Sequence, residues 1–569
     1  MERVLITSTP PTSNGDLHVG HLSGPYVAAD VYKRYLRMRG SEAYAVCGGD
    51  DHQSYVRYKA GQLGWTPEHT ASHFCDEIVS TLEAASVELD LFARPLTSAC
   101  HDAFVLDFFR RLHAEGKLTP KESPCFWCTH CDTYLFEAHV TGTCRHCGRS
   151  SDGNVCEACG RPNDCVDLIE PRCKHCGRTP SVRPQTRLHF PLSRWARQLA
   201  AYFERVEMES HLASLCERML VDGLPDIPVS HPADWGLEVP VPGFEGQRLY
   251  AWAEMAPGYL SATREMCRAL GLDADWESFW KEGGGRVVQF FGFDNGYFHA
   301  VLFPAELMAF DSDIRLPSAF VTNEFYRLSG SKFSTSRGHA IWGRDALAKY
   351  PADVLRFYLA YDRPETEQSN FEPADFAAVT QRELSGTWDG WLGALGRKVR
   401  EEARGAAPAG EPATAQQREF ASRLRGFAAE VARCYEPGTF SLQRAARLTC
   451  ELVREARRFG LGEDAWAGFA SAAARRQAAL ALELEAAATL ALLSAPILPD
   501  FSSRLWAQLG FQDPVWVHGW PEGPQALPAG QPIPGLDRPF FPQAISAGDL
   551  TPGLAAAPSA RPASAAQPF

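Results

Sequence analysis

The chain has 569 residues, a formal net charge of −13, and a composition that is 45% hydrophobic and 22% charged, typical of a soluble globular protein with about three or four domains. It has no uninterrupted run of 18 apolar residues and no basic-then-apolar signal pattern at its N-terminus, so we expect a cytoplasmic protein without a membrane span. Ten of its 17 cysteines lie between Cys125 and Cys176, which in a cytoplasmic chain indicates metal binding rather than a disulfide framework.

The N-terminal segment has the pattern of a nucleotide-binding strand–loop–helix unit. The apolar run at 4–6 predicts a buried parallel strand, and a polar loop rich in Pro and Gly follows it. Apolar residues at helical spacing then predict a helix over 25–39. Phosphate binds well at such a helix N-terminus, where His18 and His21 would face the same way and Gly20 would let a purine approach the backbone.

Four Cys-x2-Cys pairs follow one another in the central part of the chain. Two such pairs hold one tetrahedral Zn²⁺, so four pairs predict two structural zinc ions. Either consecutive pairs combine, or the inner pairs share one ion and the outer pairs the other; the short loop between the inner pairs favours the nested scheme. Glycines follow three of the pairs and suit the tight turn of a zinc knuckle. The inner pairs are Cys144, Cys147, Cys156 and Cys159, and the outer pairs are Cys128, Cys131, Cys173 and Cys176.

A polar, glycine-containing loop at 328–338 carries Lys332 and is suited to close over a triphosphate and neutralise its charge. The segment 18–21 resembles the HIGH signature, and 332–336 resembles the KMSKS signature, of class I aminoacyl-tRNA synthetases. The zinc knuckles between these motifs make the chain similar to the methionyl-tRNA synthetase family in particular. The resemblance extends from Arg3 to about Ile545.

The resemblance implies an α/β fold, in which a Rossmann-like parallel-sheet catalytic domain is split by a zinc-binding connective insertion and followed by an all-α, anticodon-binding-type helical bundle. It also favours the nested zinc pairing. An Ala/Pro-rich tail at 546–569 is expected to be disordered. The expected units are the first catalytic half at 1–116, the insertion at 117–245, the second catalytic half at 246–345, a stem-contact linker at 346–378 and the helical domain at 379–545.

The activity that the resemblance implies is activation of an amino acid by ATP with Mg²⁺, followed by transfer to the 3′ end of tRNA. His18 and His21 would hold the phosphates, Asp294 the ribose, and Asp50 the α-ammonium of the amino acid. Thr335 stands where the usual signature has a second lysine, so the cationic charge would come from Lys332 and Arg337. The remaining residues expected at the ATP site are Asn14, Gly20, Gly292, Ser334 and Ser336.

The expected amino-acid pocket departs from the family pattern. Thr12 replaces an aromatic lid, and Asn295 replaces an apolar wall residue. Polar groups beside a thioether would lack hydrogen-bond partners, at a cost of about 1–3 kcal/mol each if dry, so a side chain more polar than that of methionine is a candidate. The other residues expected in this pocket are Pro10, Asp50, Trp252, Met255, Ala256, Tyr259 and His299.

The expected anticodon-reading positions also depart from the family. They correspond to Gly390 and Ala394, whose side chains cannot hydrogen-bond a base edge, whereas Trp466 matches a stacking tryptophan. No Asn follows Asn370 in the sequence. The segment 379–460 has 14 Lys or Arg and 10 Asp or Glu, which permits tRNA backbone contacts inside an acidic chain.

The leading hypothesis is therefore a monomeric methionine–tRNA ligase that acts on ATP, methionine and tRNA. A first alternative is a paralogue that activates a more polar amino acid or serves a biosynthetic, non-translational acceptor. A second alternative is a non-catalytic protein that binds tRNA or an amino acid with the same fold.

Overall fold

The computed structural model describes residues 2–272, 274–281, 283, 285–333, 338–466, 468–469 and 472–553. The first part of the chain alternates strands and helices, because short apolar runs are followed by amphipathic segments. In chain order these elements are β1 (Arg3–Ser8), α1 (Val19–His21), α2 (Val27–Met38), β2 (Glu42–Gly48), α3 (Ser54–Leu63), α4 (Pro67–Ala84), β3 (Leu91–Ala93) and α5 (Ala99–Ala114).

An antiparallel insertion separates this part from the rest of the catalytic sheet. Its strands form a four-stranded sheet in the order β10 (Asp226–Pro228), β9 (Ser181–Pro191), β4 (Thr119–Cys128) and β5 (Thr133–Leu135), and a three-stranded sheet in the order β7 (Ser150–Ser151), β6 (Val140–Thr143) and β8 (Ile169–Cys173). The first cysteine pair lies at the turn between β4 and β5, and the other three pairs lie along the three-stranded sheet. The elements are β4 (Thr119–Cys128), β5 (Thr133–Leu135), β6 (Val140–Thr143), β7 (Ser150–Ser151), β8 (Ile169–Cys173), β9 (Ser181–Pro191), α6 (Ala196–Phe203), α7 (Ser210–Asp222), β10 (Asp226–Pro228), β11 (Ser230–Pro232) and β12 (Gln247–Leu249).

The chain then completes the catalytic sheet and continues into a linking region. The completing elements are α8 (Ala251–Ala269), α9 (Glu277–Trp280), β13 (Arg286–Gly292), α10 (Phe303–Phe310) and β14 (Ala319–Asn323). The linking elements are β15 (Tyr326–Leu328), β16 (Ser331–Lys332), α11 (Gly343–Leu347), α12 (Ala352–Tyr361) and β17 (Ser369–Phe371).

The catalytic sheet has five parallel strands in the order β3-β2-β1-β13-β14. Leu5 and Phe291 pack on one face, and Ile6 and Phe290 pack on the other. Both faces are covered, which explains why the strands are continuous apolar runs rather than alternating ones. Strands β2 and β3 lie on one side of β1 in the sheet, and β13 and β14 lie on the other side. The strand order therefore reverses at β1, and ligands bind at the carboxyl end of the strands at such a switch point. The predicted split α/β architecture is confirmed.

The C-terminal part is a helical bundle built around a largely buried helix. Helix α17 (Ala473–Ser494) is long and apolar enough to cross a membrane, but 83% of its most apolar 18-residue stretch is buried against the rest of the protein. Its composition is thus accounted for by its central position in the bundle. The helices are α13 (Pro373–Thr380), α14 (Gly390–Ala403), α15 (Ala415–Arg433), α16 (Leu442–Asp464), α17 (Ala473–Ser494) and α18 (Pro499–Gln508).

The expected disorder from Ser546 onward is wrong for the first eight residues of the tail. Tyr350 Oη donates to Asp549 Oδ2 at 2.7 Å, and Leu550 is buried in the main core. Gly553 N donates to Ala340 O at 3.0 Å. An Ala/Pro-rich composition did not prevent ordering here because one leucine and a set of backbone groups find partners on the catalytic part.

Candidate active site

The two signature motifs meet at the switch point of the parallel sheet. Val19 N donates to Ile341 O at 3.0 Å, which ties the start of α1 to the segment that follows the Lys332 loop. The Phe333 ring stacks on the His18 ring with centroids 4.4 Å apart. Segments more than 300 residues apart in sequence therefore form one wall of the crevice.

His18 and His21 cap the short helix α1 reciprocally. His21 N donates to His18 Nδ1, and His18 N donates to His21 Nδ1, both at 3.3 Å. The two rings stack with centroids 3.7 Å apart. A Cβ on Gly20 would lie 3.0 Å from the His18 ring, so any other residue would push this ring aside. The predicted juxtaposition of these three residues is present in the structure.

Both rings are neutral at physiological pH. The His21 ring opens into the crevice, and the protein that surrounds it lowers its pKa to about 4 by desolvation. Burial also lowers the pKa of His18 well below the ordinary value, with a further contribution from His21. Each ring can therefore offer one N–H donor to a phosphate oxygen without bringing a charge of its own.

Asp294 lies just beyond the carboxyl end of β13. Burial raises the pKa of Asp294 to about 6, with Glu157 as a second contribution, while Lys332 lowers it. The Lys332 ammonium forms an ion pair with Glu157, which lies in the zinc-knuckle insertion between Cys156 and Cys159. Its ammonium also lies 5.4 Å from the centre of the Phe325 ring. The insertion thus reaches the edge of the nucleotide crevice.

The predicted loop residues beyond Phe333 cannot be placed. Ser334, Thr335, Ser336 and Arg337 lie outside the described residues. Asn14 and Gly292 are half-buried, and a Cβ on Gly292 would lie 2.5 Å from Asp294 Oδ1, so a larger residue there would displace the Asp294 carboxylate.

A cavity that is open to solvent lies between the ends of β2 and β3 and helices α5 and α8. Asp50 forms part of its wall, 2 residues beyond β2, with its backbone N bonded to Pro11 O at 2.9 Å. Burial raises the pKa of Asp50 to about 8, with Glu137 and Glu254 adding to the shift. Of the residues predicted for the amino-acid pocket, those that line this cavity are Pro10, Asp50, Met255 and Tyr259.

The other predicted pocket residues do not line this cavity. Thr12 forms a backbone bridge to Asp50, and the half-buried Asn295 is next to Asp294. His299 is fully buried and stacks on Phe291, and neither ring nitrogen has a hydrogen-bond partner among the described residues. Trp252 is half-buried, and Ala256 is fully buried on α8.

The eight knuckle cysteines form two tetrads in the nested arrangement. Cys128, Cys131, Cys173 and Cys176 form one group, and Cys144, Cys147, Cys156 and Cys159 form the other. Four Sγ–Sγ distances within the groups are 3.5, 3.9, 4.0 and 3.6 Å. Sulfurs bound to one tetrahedral Zn²⁺ at about 2.3 Å lie about 3.8 Å apart, so the donor sets fit zinc. The two groups have the membership that the nested pairing predicts.

Comparison with known proteins identifies the family. Residues 4–393 match the family model described as tRNA synthetases class I (M). A protein of Thermomicrobium roseum named methionine–tRNA ligase is 34% identical over 88% of this chain and 86% of its own length. A protein of the same name from Porphyromonas gingivalis is 33% identical over 91% of this chain and 75% of its own length. The chain belongs to the methionyl-tRNA synthetase family of class I synthetases.

The fold of this synthetase is also that of a solved structure. Methionyl-tRNA synthetase of Mycobacterium tuberculosis in complex with methionyl-adenylate superimposes with a TM-score of 0.76. The superposition covers 94% of this chain and 99% of that chain at 18% sequence identity.

The predicted anticodon positions lie on the helical bundle of the synthetase. Gly390 is exposed at the start of α14, and Ala394 is half-buried one turn later. Trp466 is 42% exposed, with the Arg475 guanidinium 4.1 Å from its ring centre. These positions supply one stacking surface and no hydrogen-bonding side chain at the first two sites.

Two features of the site escaped the sequence analysis. The Phe333 ring stacks on the His18 ring and so connects the two signature motifs. The sequence showed only the order of these motifs along the chain. His52, His101 and Glu254 converge in the cavity wall, with His101 and Glu254 153 residues apart in sequence. No spacing pattern links residues at such separations, so only the fold could bring them together.

Proposed function

We propose that the chain activates an amino acid with ATP to form an aminoacyl-adenylate and transfers the aminoacyl group to the 3′ end of tRNA. The observation that carries the proposal is the reciprocal cap of His18 and His21 at the switch point, with Asp50 and Asp294 just beyond the ends of two sheet strands. The relatives are named for methionine, which is the first substrate to test.

Each group has a role that follows from its chemistry. The amino-acid carboxylate attacks the α-phosphorus of ATP, a P–O bond to the leaving group breaks, and pyrophosphate departs. His18 and His21 donate neutral N–H groups to the phosphates, while Asp294 accepts from the ribose hydroxyls. Asp50 pairs with the α-ammonium, which orients the carboxylate for attack.

Lys332 supplies positive charge to the departing phosphates after it leaves Glu157. We assign Arg337 the same role in place of the second signature lysine, with Thr335, Ser334 and Ser336 as hydrogen-bonding neighbours in the loop. Mg²⁺ enters with ATP as part of the substrate. Charge stabilisation and positioning account for most of the rate in reactions of this type.

The two cysteine tetrads hold two structural Zn²⁺ ions under this proposal. Their four-thiolate sets leave no open position, so they shape the insertion and take no part in the chemistry. The enzyme acts as a monomer in the cytoplasm.

A second candidate is a synthetase paralogue that serves an acceptor other than a translational tRNA. Gly390 and Ala394 favour it, because neither side chain can read a base edge. The adenylation half of the proposal is common to both candidates.

Amino-acid-dependent ATP–pyrophosphate exchange across the twenty amino acids tests the adenylation step. Exchange with at least one amino acid supports the proposal, and its absence with all of them favours a non-catalytic binding protein. Aminoacylation of total tRNA with the activated amino acid then separates the candidates. Exchange without tRNA charging would support the non-translational acceptor.

A further inference from the structure

One carboxylate in the wall of the amino-acid cavity has an oxygen that no neighbour uses. Glu254 lies in the first turn of α8, is 5% exposed and lines the cavity that also contains Asp50. Its Oε1 lies 2.7 Å from His52 Nδ1 and 2.8 Å from His101 Nε2. Its Oε2 is buried and has no hydrogen-bond partner among the described residues.

The two histidines hold this carboxylate in place. His101 Nδ1 lies 3.1 Å from Ser261 Oγ, and Ser261 Oγ donates to Gly258 O at 2.9 Å, so the ring is oriented by α8 itself. His52 is held against Glu254 from the loop after β2. Both ring nitrogens form their hydrogen bonds with Oε1. A rotation of the carboxylate that brought Oε2 towards the histidines would break both of these hydrogen bonds.

The carboxylate is ionised and acts as an acceptor. Burial favours its neutral form, but His52 and His101 together lower the pKa of Glu254 to about 2. Burial likewise favours a neutral His52, yet the Glu254 carboxylate raises the pKa of His52 to about 9. Oε2 is therefore a full hydrogen-bond acceptor, buried and without a partner among the described residues, on a side chain that lines the cavity.

The distances indicate hydrogen bonds rather than a metal site. The ligand atoms of His52, His101 and Glu254 lie within 4.8 Å of one another, as those of a metal centre would. Ligands at about 2.1 Å from a tetrahedral ion are about 3.4 Å apart, whereas both nitrogens here lie 2.7–2.8 Å from one oxygen. This triad is consistent with two donors on a shared acceptor.

The other charged groups that face the cavity leave Glu254 as the available acceptor. Asp51 already accepts from Ser13 Oγ at 2.6 Å and from Leu96 N at 3.1 Å. Asp50 is the group proposed to bind the α-ammonium. No Lys or Arg lines the cavity among the described residues, and the remaining wall is largely apolar, with Val46, Ala93, Pro95, Met255 and Ala262.

We propose that the amino acid bound here has a side chain that ends in an N–H or O–H donor, which donates to Glu254 Oε2. This inference rests on the proposed function and names its substrate class. An apolar thioether would leave the buried Oε2 unpaired, whereas a donor would satisfy it and recover that free-energy cost. A site built around a hydrogen bond discriminates strongly against analogues that lack the donor.

The test compares amino acids of similar length in ATP–pyrophosphate exchange. Methionine and norleucine represent apolar ends, homoserine a hydroxyl, glutamine an amide, and 2,4-diaminobutyrate, ornithine and lysine an ammonium. We expect the best donor-ended amino acid to exceed both apolar ones in kcat/KM by roughly tenfold or more. The ratio of kcat/KM between donor-ended and apolar amino acids in the wild type tests the proposal by itself, whatever the behaviour of any variant.

Glu254→Gln provides the matched variant. The two histidine donors keep the amide oxygen on their side, so the amide nitrogen takes the place of Oε2 and a donor replaces the acceptor at constant size. We expect the donor-ended to norleucine ratio to fall roughly tenfold or more. Glu265→Gln, on the same helix but outside the cavity wall, should leave the ratio unchanged.

Two results would overturn the inference. If methionine or norleucine is the best substrate of the wild type, or if Glu254→Gln folds and keeps the wild-type ratio, the side-chain donor is refuted while the adenylation function stands. If no amino acid supports exchange, the proposed function fails and the inference fails with it.

Discussion

Single residues in the crevice owe their properties to desolvation more than to sequence neighbours. Asp50 and His21 have ordinary side chains, but burial raises the pKa of Asp50 to about 8, and desolvation by the surrounding protein lowers the pKa of His21 to about 4. Both groups are therefore uncharged near neutral pH before substrates enter. Substrate charge must restore the ionised state of Asp50, whereas His21 can act as it stands.

His21→Ala should abolish ATP–pyrophosphate exchange, because it removes a phosphate donor and half of the reciprocal cap. We expect kcat to fall by two orders of magnitude or more, as is typical for the loss of a group that stabilises developing charge. The thermal midpoint should change little, since the ring is open to the crevice. Wild-type exchange in this variant would discard the assigned phosphate role.

Asp50 should make amino-acid binding depend on pH. Its raised pKa means that the carboxyl is mainly protonated at pH 6.5 and ionises as the pH passes through about 8. Because the ionised form pairs with the α-ammonium, kcat/KM for the amino acid should rise with pH up to about 8 and then level. Asp50→Asn should remove activity and this dependence; a profile that is flat between pH 6.5 and 8 in the wild type would contradict the role.

Among the structural elements, the zinc knuckles have a backbone turn that is determined by the residue next to each cysteine pair. Gly148, Gly160 and Gly177 follow the second cysteine of their pairs with φ of 71°, 69° and 73°, as the tight-turn interpretation requires. The first knuckle has Asp132 at the same position with φ of 53°, a left-handed conformation that Asp tolerates better than most residues. All four knuckles thus use one backbone turn.

Cys144→Ser should lower the zinc content from two ions per chain towards one. Its tetrad would keep three thiolates, whereas the outer tetrad of Cys128, Cys131, Cys173 and Cys176 would be untouched. Metal analysis of the purified protein measures this directly. Cys125→Ser, outside both tetrads, should retain two ions, and two ions in the Cys144 variant would refute the assignment.

Across the whole molecule, one buried arginine joins the catalytic part to the helical bundle. The Arg356 guanidinium on α12 bonds to Asp30 Oδ2 at 2.6 Å and to Ala85 O at 3.1 Å in the catalytic part. Its Nε donates to Ile497 O at 2.8 Å, in the segment between α17 and α18. The guanidinium forms five hydrogen bonds in all and is buried away from solvent. The relative placement of the active site and the bundle therefore depends on this one side chain.

Arg356→Met should lower the free energy of unfolding by about 3 kcal/mol or more, because it leaves buried carbonyls and part of Asp30 without a donor. Denaturant unfolding measures the change. Arg94→Met breaks only an exposed pair with Asp76 and should cost about 1 kcal/mol or less. Equal losses in the two variants would contradict the bridging role.

Much of the architecture could be predicted because its signals are local. The apolar run of β1 identifies a buried parallel strand, and the spacing of cysteines predicts zinc knuckles. The expected disorder of the tail failed because Leu550 and the Tyr350 contacts are tertiary interactions that composition does not report.

The sequence by itself determined the family, the two signatures and the number of zinc knuckles, since each depends on residues a few positions apart whose backbone geometry is set locally. Only the tertiary structure decided which cysteines share a tetrad, that Phe333 stacks on His18, and that His52 and His101 meet Glu254. His52 and Glu254 are separated by 202 residues. Packing of the sheet and helices, and not any local pattern, brings such side chains within hydrogen-bond distance, and it thereby sets the chemistry of the amino-acid cavity.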